Sequence, residues 1–223
     1  MERSSQPTDR DPVARPTGTV GAVVVCGGRS RRMGSDKAEV RLAGSTLLER
    51  VIAELQPVTQ ELVLACGPEP RYEELGLPLA LDHESDAGPL AGIAAGLERL
   101  ETPWVIVVAV DMPRLSRNLF DALVTRAQER ELDVCYFESE GGIEPLCAVY
   151  HRRCLEPIRT ALAAGRRKVT AFTDETSGQP LRVGRLPVGE LSETLRVRDC
   201  AVNLNTPDEL KRERSSWDEG AFE

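Results

Sequence analysis

Between Gly21 and Lys37 the chain reads GAVVVCGGRSRRMGSDK, and its second half carries the residue types that could do chemistry. Arg29, Arg31, Arg32 and Lys37 set four cations against one acid, Asp36, within nine residues, in a chain of formal net charge -8. Glycines let backbone amides approach a ligand closely, and successive amides flanked by cations form a concavity for anions. Gly27-Gly28 and the basic loop are therefore read as a phosphate cradle. Two common cradles are excluded by spacing. A Walker loop needs Gly-Lys-Ser/Thr where this chain has Asp36-Lys37, and Gly27, Gly28 and Gly34 do not space as G-x-G-x-x-G.

Two carboxylates stand out elsewhere. Asp82 follows the short apolar run Leu77 to Leu81, and Asp111 follows Trp104 to Val110, the longest apolar run of the chain. Open α/β sheets bind ligands beyond the carboxyl ends of their strands, where both aspartates and the basic loop fall. A hard oxygen donor such as Asp111 suits Mg²⁺, which usually takes one or two carboxylates together with substrate phosphates. The six cysteines include no C-x-x-C pair, and His83 and His151 are the only histidines, which argues against structural zinc. Cys26, Cys66, Cys135 and Cys147 sit in or beside strand-like runs and read as buried small hydrophobes.

These residues need a scaffold, and the pattern supplies an alternation of strands and helices that predicts an α/β fold with a mostly parallel sheet. Strands are expected at Ala22 to Val25, Glu61 to Cys66, Leu77 to Leu81, Trp104 to Val110, Asp133 to Phe137, Leu146 to Tyr150 and Arg182 to Leu186. Helices are expected around Leu47 to Leu55, ended by Pro57, and at Gly88 to Leu100, Ser116 to Arg130 and Cys154 to Ala164. Ser116 is a candidate N-cap, and Asn205 or Thr206 can cap a last short helix in NTPDEL. The glycines of Gly88 to Leu100 cost helix propensity unless close packing or a ligand requires them.

At 223 residues and 41% hydrophobic, the chain can bury one substantial core, expected over residues 19–212 as a single domain. Residues 1–18, rich in Pro, Ser, Thr, Arg and Asp, are expected to be a disordered tail, and residues 213–223 a flexible one. The acidic balance, with a pI near 5.1, argues against a nucleic-acid or membrane-surface binder. No apolar run approaches the roughly 20 residues of a bilayer span, and no signal-peptide core is present, so a cytoplasmic protein is expected.

The loop resembles the signature G-G-x-S-x-R-M-G-x-D-K of nucleotidyltransferases with a Rossmann-like fold, matching at Gly27, Gly28, Ser30, Arg32, Met33, Gly34, Asp36 and Lys37. The resemblance continues through Asp82, Gly88-Pro89-Leu90-Ala91-Gly92, Asp111-Met112-Pro113, Glu144-Pro145-Leu146-Cys147-Ala148 and Asn203-Leu204-Asn205-Thr206-Pro207. In that order, over about Val20 to Lys211, these motifs resemble the molybdenum cofactor guanylyltransferases, the MobA family.

That resemblance implies a three-layer fold around a mostly parallel sheet, and transfer of GMP from GTP to molybdenum-molybdopterin with release of pyrophosphate. It implies Mg²⁺ as cofactor and leaves room for molybdoenzyme apoproteins and other cofactor-assembly proteins as partners. By position, Val25, Cys26 and Gly27 match a backbone segment that meets the nucleotide, with Cys26 in place of the family's usual Ala. Ala65 stands where some members have a nucleotide-contacting Asn, so only a backbone role is expected there. Lys37 matches the triphosphate-binding lysine, Asp82 an aspartate of the guanosine site, and Asp111 the magnesium and nucleotide ligand. Arg32 and Lys37 are expected to hold the departing pyrophosphate. Asn203 and Asn205 match asparagines of the pterin side or of catalysis, although an Asn before a helix is equally a cap. Two alternatives stay open: another small-molecule nucleotidyltransferase, either a CTP-dependent molybdopterin cytidylyltransferase or a sugar-phosphate type, and a non-catalytic GTP-binding carrier of the cofactor.

Overall fold

The computed structural model describes residues 19–27, 36–82, 88–174, 180–191, 204 and 206–218. Arg32, Asn203 and Asn205 lie outside the described residues.

The all-buried run VGAVVV forms β1 (Val20–Val25), at the middle of the sheet. β-branched residues fit a strand covered on both faces, and β1 alternates accordingly. Val20, Ala22 and Val24 enter one core cluster, Val23 and Val25 the other. After it come β2 (Arg41–Leu42), β3 (Ser45–Thr46), α1 (Leu47–Leu55), β4 (Glu61–Gly67) and β5 (Leu79–Leu81). Next are α2 (Pro89–Arg99), β6 (Trp104–Ala109), α3 (Arg117–Glu129), β7 (Val134–Ser139) and β8 (Gly142–His151). The last are α4 (Leu155–Ala163), β9 (Val183–Pro187) and α5 (Pro207–Asp218).

Among the described residues, seven strands form one sheet in the order β5-β4-β1-β6-β8-β7-β9. Only β8 runs against its neighbours; β1 pairs in parallel with β4 on one side and β6 on the other. Helices α1 and α3 cover one face, α2 and α4 the other, giving the three-layer α/β arrangement expected. Strand order reverses at β1, because α1 carries the chain outward to β4 while β6 returns to its opposite side. That makes the carboxyl ends of β1 and β6 the crevice of the sheet.

The glycines of α2 find their reason in close packing. A Cβ on Gly96 would stand 2.4 Å from Val23 Cγ2, so Gly96 lets the helix lie on β1. Near the start of the helix, a Cβ on Gly92 would stand 3.9 Å from both Val25 Cγ1 and Asp82 Oδ2.

Three expectations need correction, and one element is additional. Strand β8 begins at Gly142 rather than Leu146, because it forms a hairpin with β7. Pro145 falls in the irregularity between the pairs Tyr136↔Ala148 and Phe137↔Glu144, where its missing N–H costs no ladder bond. Ser116 precedes α3, but its hydroxyl makes no capping bond; Glu54 of α1 accepts from the Arg117 amide at 2.8 Å instead. The short β2–β3 hairpin adds to the expected elements, since two-residue strands carry no period; Ala43 and Gly44 turn it at φ 47° and 89°.

The flexible C-terminal tail expected from residue 213 is also overturned for its first residues, because α5 continues to Asp218. Glu213 is buried against Arg114, and Trp217 packs on the cluster of Val40, Leu42, Leu47 and Leu204. At the other end of α5, the Thr206 hydroxyl accepts from the Glu209 amide at 3.2 Å and the Glu209 carboxylate accepts from the Thr206 amide at 2.8 Å. This reciprocal pair is a capping box.

Candidate functional site

The exit of β1 is built from backbone. Val25 pairs with Ala65 of β4 and with Ala109 of β6, and the chain then bends toward β4. The Ala65 carbonyl accepts from the Cys26 amide at 3.0 Å, the Gly27 amide at 2.9 Å and the Cys26 thiol at 3.6 Å. Three donors occupy this oxygen, so Ala65 acts by steering the β1 exit. Gly27 is required sterically: a Cβ there would stand 2.6 Å from the Gly67 amide nitrogen and 2.7 Å from the Cys66 carbonyl carbon, both rigid backbone. Burial pushes the Cys26 thiol up to about 12 and raises Cys66 as well, so at neutral pH both are uncharged packing groups.

Lys37 opens a 3-10 turn, Lys37 to Glu39, that Asp36 caps by accepting from the Ala38 amide at 3.1 Å. Its Nζ donates to Asp111 Oδ2 at 3.0 Å, with 18% of the Lys37 side chain and 23% of the Asp111 side chain exposed. A pair so placed remains open enough to exchange partners with a ligand, yet sheltered enough for charge to act strongly. Asp111 lies two residues past β6, and its carbonyl accepts from the Leu204 amide at 2.8 Å. Asp82 follows β5, with its amide bonded to the Gly67 carbonyl at 3.2 Å. Its carboxylate borders Gly92 on the α2 face of the sheet, as Val25 does.

The structure thus brings Val25, Cys26, Gly27, Ala65, Lys37 and Asp111 to one end of the sheet, with Asp82 on its α2 side. Among the described residues no group of three or more His, Cys, Asp or Glu could hold a metal ion. A single partly exposed carboxylate does not make a protein-caged metal centre. It does fit Mg²⁺ held partly by a nucleotide's phosphates. A groove of about 540 Å³ opens at the opposite end, where Glu61 begins β4 just after Gln60 and Arg99 ends α2. It contains none of these residues.

A family model described as the MobA-like NTP transferase domain matches residues 22–179, which take in most of β1 together with Lys37, Asp82 and Asp111. The chain belongs to this family. Two similar curated proteins are a probable molybdenum cofactor guanylyltransferase of Chloroflexus aggregans and a molybdenum cofactor guanylyltransferase of Vibrio vulnificus. The first is 34% identical over 85% of this chain and 90% of the relative, the second 33% over 84% and 91%. Among solved structures, the molybdopterin-guanine dinucleotide biosynthesis protein A of Archaeoglobus fulgidus superposes with a TM-score of 0.76 at 28% identity, covering 89% of this chain and 99% of that one. This MobA-like chain is accordingly a nucleotidyltransferase.

In this MobA-like chain, two supports of the Lys37–Asp111 pair carry no clear mark in the sequence. Tyr72 donates its hydroxyl to Asp36 Oδ2 at 2.6 Å, and Arg71 pairs with the same carboxylate. Burial raises the Tyr72 hydroxyl above its ordinary range, which keeps it protonated as that donor. Asp36 thus anchors the turn that presents Lys37, with Tyr72 as its distant support. Nothing in the spacing of Arg71 and Tyr72 marked them. The second support, the contact of Leu204 with Asp111, depends on the return of the C-terminal segment to the crevice. The recurrence of Asn203-Leu204-Asn205 in the family pattern was its one signal.

No helix among the described residues is long and apolar enough to cross a membrane.

Proposed function

We propose that this chain transfers GMP from GTP to the terminal phosphate of molybdenum-molybdopterin, forming molybdopterin guanine dinucleotide and pyrophosphate. The reading is carried by the Lys37–Asp111 pair at the crevice between β1 and β6, in a chain matching guanylyltransferases over most of its length. A phosphate oxygen of the acceptor attacks the α-phosphorus of GTP. The bond from that phosphorus to the bridging oxygen of the β-phosphate breaks, and pyrophosphate leaves with the electron pair. The nucleophile is already anionic, so catalysis reduces to positioning and charge stabilisation and needs no side-chain base.

Each residue has a place in this scheme. The backbone from Val25 to Gly27 lies against the nucleotide, and Ala65 sets its course. Lys37 exchanges Asp111 for the β- and γ-phosphates and, with Arg32, neutralises the departing pyrophosphate. Asp82 is assigned to the guanosine, and Asn203 and Asn205 to the pterin side. Asp111 would hold Mg²⁺ once Lys37 turns to the phosphates, and the ion would supply charge neutralisation at the α-phosphate. The cytoplasm is the compartment this reading assigns, and apoproteins of molybdoenzymes are the recipients of the product.

The test is direct. Purified protein is incubated with molybdenum-loaded pterin, Mg²⁺ and each nucleoside triphosphate in turn, and dinucleotide formation is followed. Product with GTP alone is expected. Product with CTP would assign a cytidylyltransferase, and GTP binding without pyrophosphate release a carrier.

A further inference from the structure

Helix α5 reaches the segments that follow both halves of the Lys37–Asp111 pair. Arg114, three residues past Asp111, donates from Nε to Glu213 Oε1 at 2.6 Å, from Nη2 to Glu213 Oε2 at 2.9 Å and from Nη2 to Ser216 Oγ at 3.3 Å. Both side chains are largely buried, Arg114 at 14% exposure and Glu213 at 5%. A bidentate fork of this kind fixes orientation as well as distance. Trp217 Nε1 donates to the same Glu213 Oε1 at 2.9 Å, and the Arg50 guanidinium sits 4.3 Å over the Trp217 ring.

On the other side, Leu204, Leu210 and Trp217 pack with Val40, Leu42 and Leu47, the stretch that follows the Lys37 turn. The Leu204 amide closes the bracket on the Asp111 carbonyl at 2.8 Å. The segment after Lys37 and the segment after Asp111 are therefore both moored to one helix, by a cluster on one side and a fork on the other.

We infer that Arg114 is a positioning residue: its fork to Glu213 locks α5 as a strap that sets where the Asp111 carboxylate stands relative to Lys37. This rests on the proposed role of Asp111. Loss of the fork lets the Asp111 segment move without touching any ligand, and misplacement of a reacting group by about 1 Å costs on the order of 100-fold in rate.

Full-length Arg114→Ala, Arg114→Lys and Glu213→Gln are compared with the parent and with Asp111→Ala. The readouts are kcat, KM for GTP, the Mg²⁺ concentration giving half-maximal turnover, and the increment that Mg²⁺ adds to the GTP-induced rise in melting temperature. Glu213→Gln keeps the size and one acceptor, so it reports even where Arg114→Ala does not fold. The expected result is a fall in kcat of about 10- to 100-fold for Arg114→Ala and a smaller one for Glu213→Gln, with partial rescue in Arg114→Lys. KM for GTP should change less than about threefold, the Mg²⁺ requirement should rise and the Mg²⁺-dependent increment should shrink, because GTP contacts survive and Asp111 is displaced. Folded Arg114→Lys and Glu213→Gln with parental kcat and parental Mg²⁺ dependence, and only a lower melting temperature, would overturn the inference while leaving the proposed site intact. Parental turnover in Asp111→Ala would overturn the site reading and this inference with it.

Discussion

Lys37 and Asp111, 74 positions apart in the chain, meet through a 3.0 Å contact between Nζ and Oδ2. In the proposed reaction a polyphosphate and a metal ion take the place of the two partners. Removing either should therefore damage turnover more than folding. Lys37→Ala or Asp111→Ala is expected to lower kcat by about 10² to 10³, in line with the loss of one charge-stabilising group. Pyrophosphate release at saturating Mg²⁺ is the measurement, and near-parental release in Asp111→Ala would remove its metal role.

Tyr72 supports Lys37 at one remove, through Asp36. Tyr72→Phe removes the 2.6 Å hydrogen bond to the Asp36 carboxylate but leaves Arg71 paired with it. A hydrogen bond to a charged group contributes about 1.5–3 kcal/mol, and only part of that is transmitted to the turn. The expected outcome is a rise in KM for GTP of about threefold to tenfold with a smaller change in kcat. Steady-state kinetics on both parameters checks this; unchanged KM would show that Arg71 alone suffices.

Gly27 is sensitive for a steric reason. The Cβ of Gly27→Ala would stand 2.6 Å from the Gly67 amide nitrogen, so the ends of β1 and β4 must separate. Overpacking of this kind costs about 1–3 kcal/mol. A lowered denaturant midpoint together with weakened GTP binding is expected. A variant as stable as the parent and binding GTP equally well would show that the two strand ends are free to part.

Burial pushes the thiols of Cys26, Cys135 and Cys154 up to about 12, from an ordinary value of 9.0. Between those limits the unfolded chain has lost protons that the folded chain keeps, so fewer protons are bound in the unfolded state and stability falls as pH rises. The urea midpoint should accordingly decline from pH 9 upward, and replacing the three cysteines with alanine should flatten that decline. The same thiols should resist iodoacetamide in the native protein at pH 8 and react once it is unfolded. Rapid alkylation of native Cys26 would contradict its burial.

Asp133 offers a structural contrast to Asp111. It is 1% exposed, pairs with Arg153, and accepts from the Arg182 amide at 2.6 Å. Asp133→Ala leaves that amide without its acceptor, while the Arg153 side chain, 46% exposed, can turn to water. A loss of about 1–3 kcal/mol in stability is expected, with kcat kept at temperatures where the variant is folded. Chemical denaturation and pyrophosphate release, measured on the same preparation, separate the two effects.

The linear order of residues by itself determined a good deal. The apolar run before Gly27, the still longer one before Asp111 and the amphipathic spacing from Leu47 to Leu55 dictated strands and helices, because burial on two faces or one imposes its own periodicity. The loop residues from Gly27 to Lys37 named a phosphate chemistry because their types and spacing are local facts. What only the tertiary structure decided were the contacts between distant segments. The pairing of Lys37 with Asp111, the hold of Arg71 and Tyr72 on Asp36, the saturation of the Ala65 carbonyl and the Arg114–Glu213 fork that turns an expected tail into part of helix α5 all belong to this class. Periodicity reports which face of an element is buried, but which polar groups meet across that burial depends on strand order and register. Those are set by the packing of the whole chain at once.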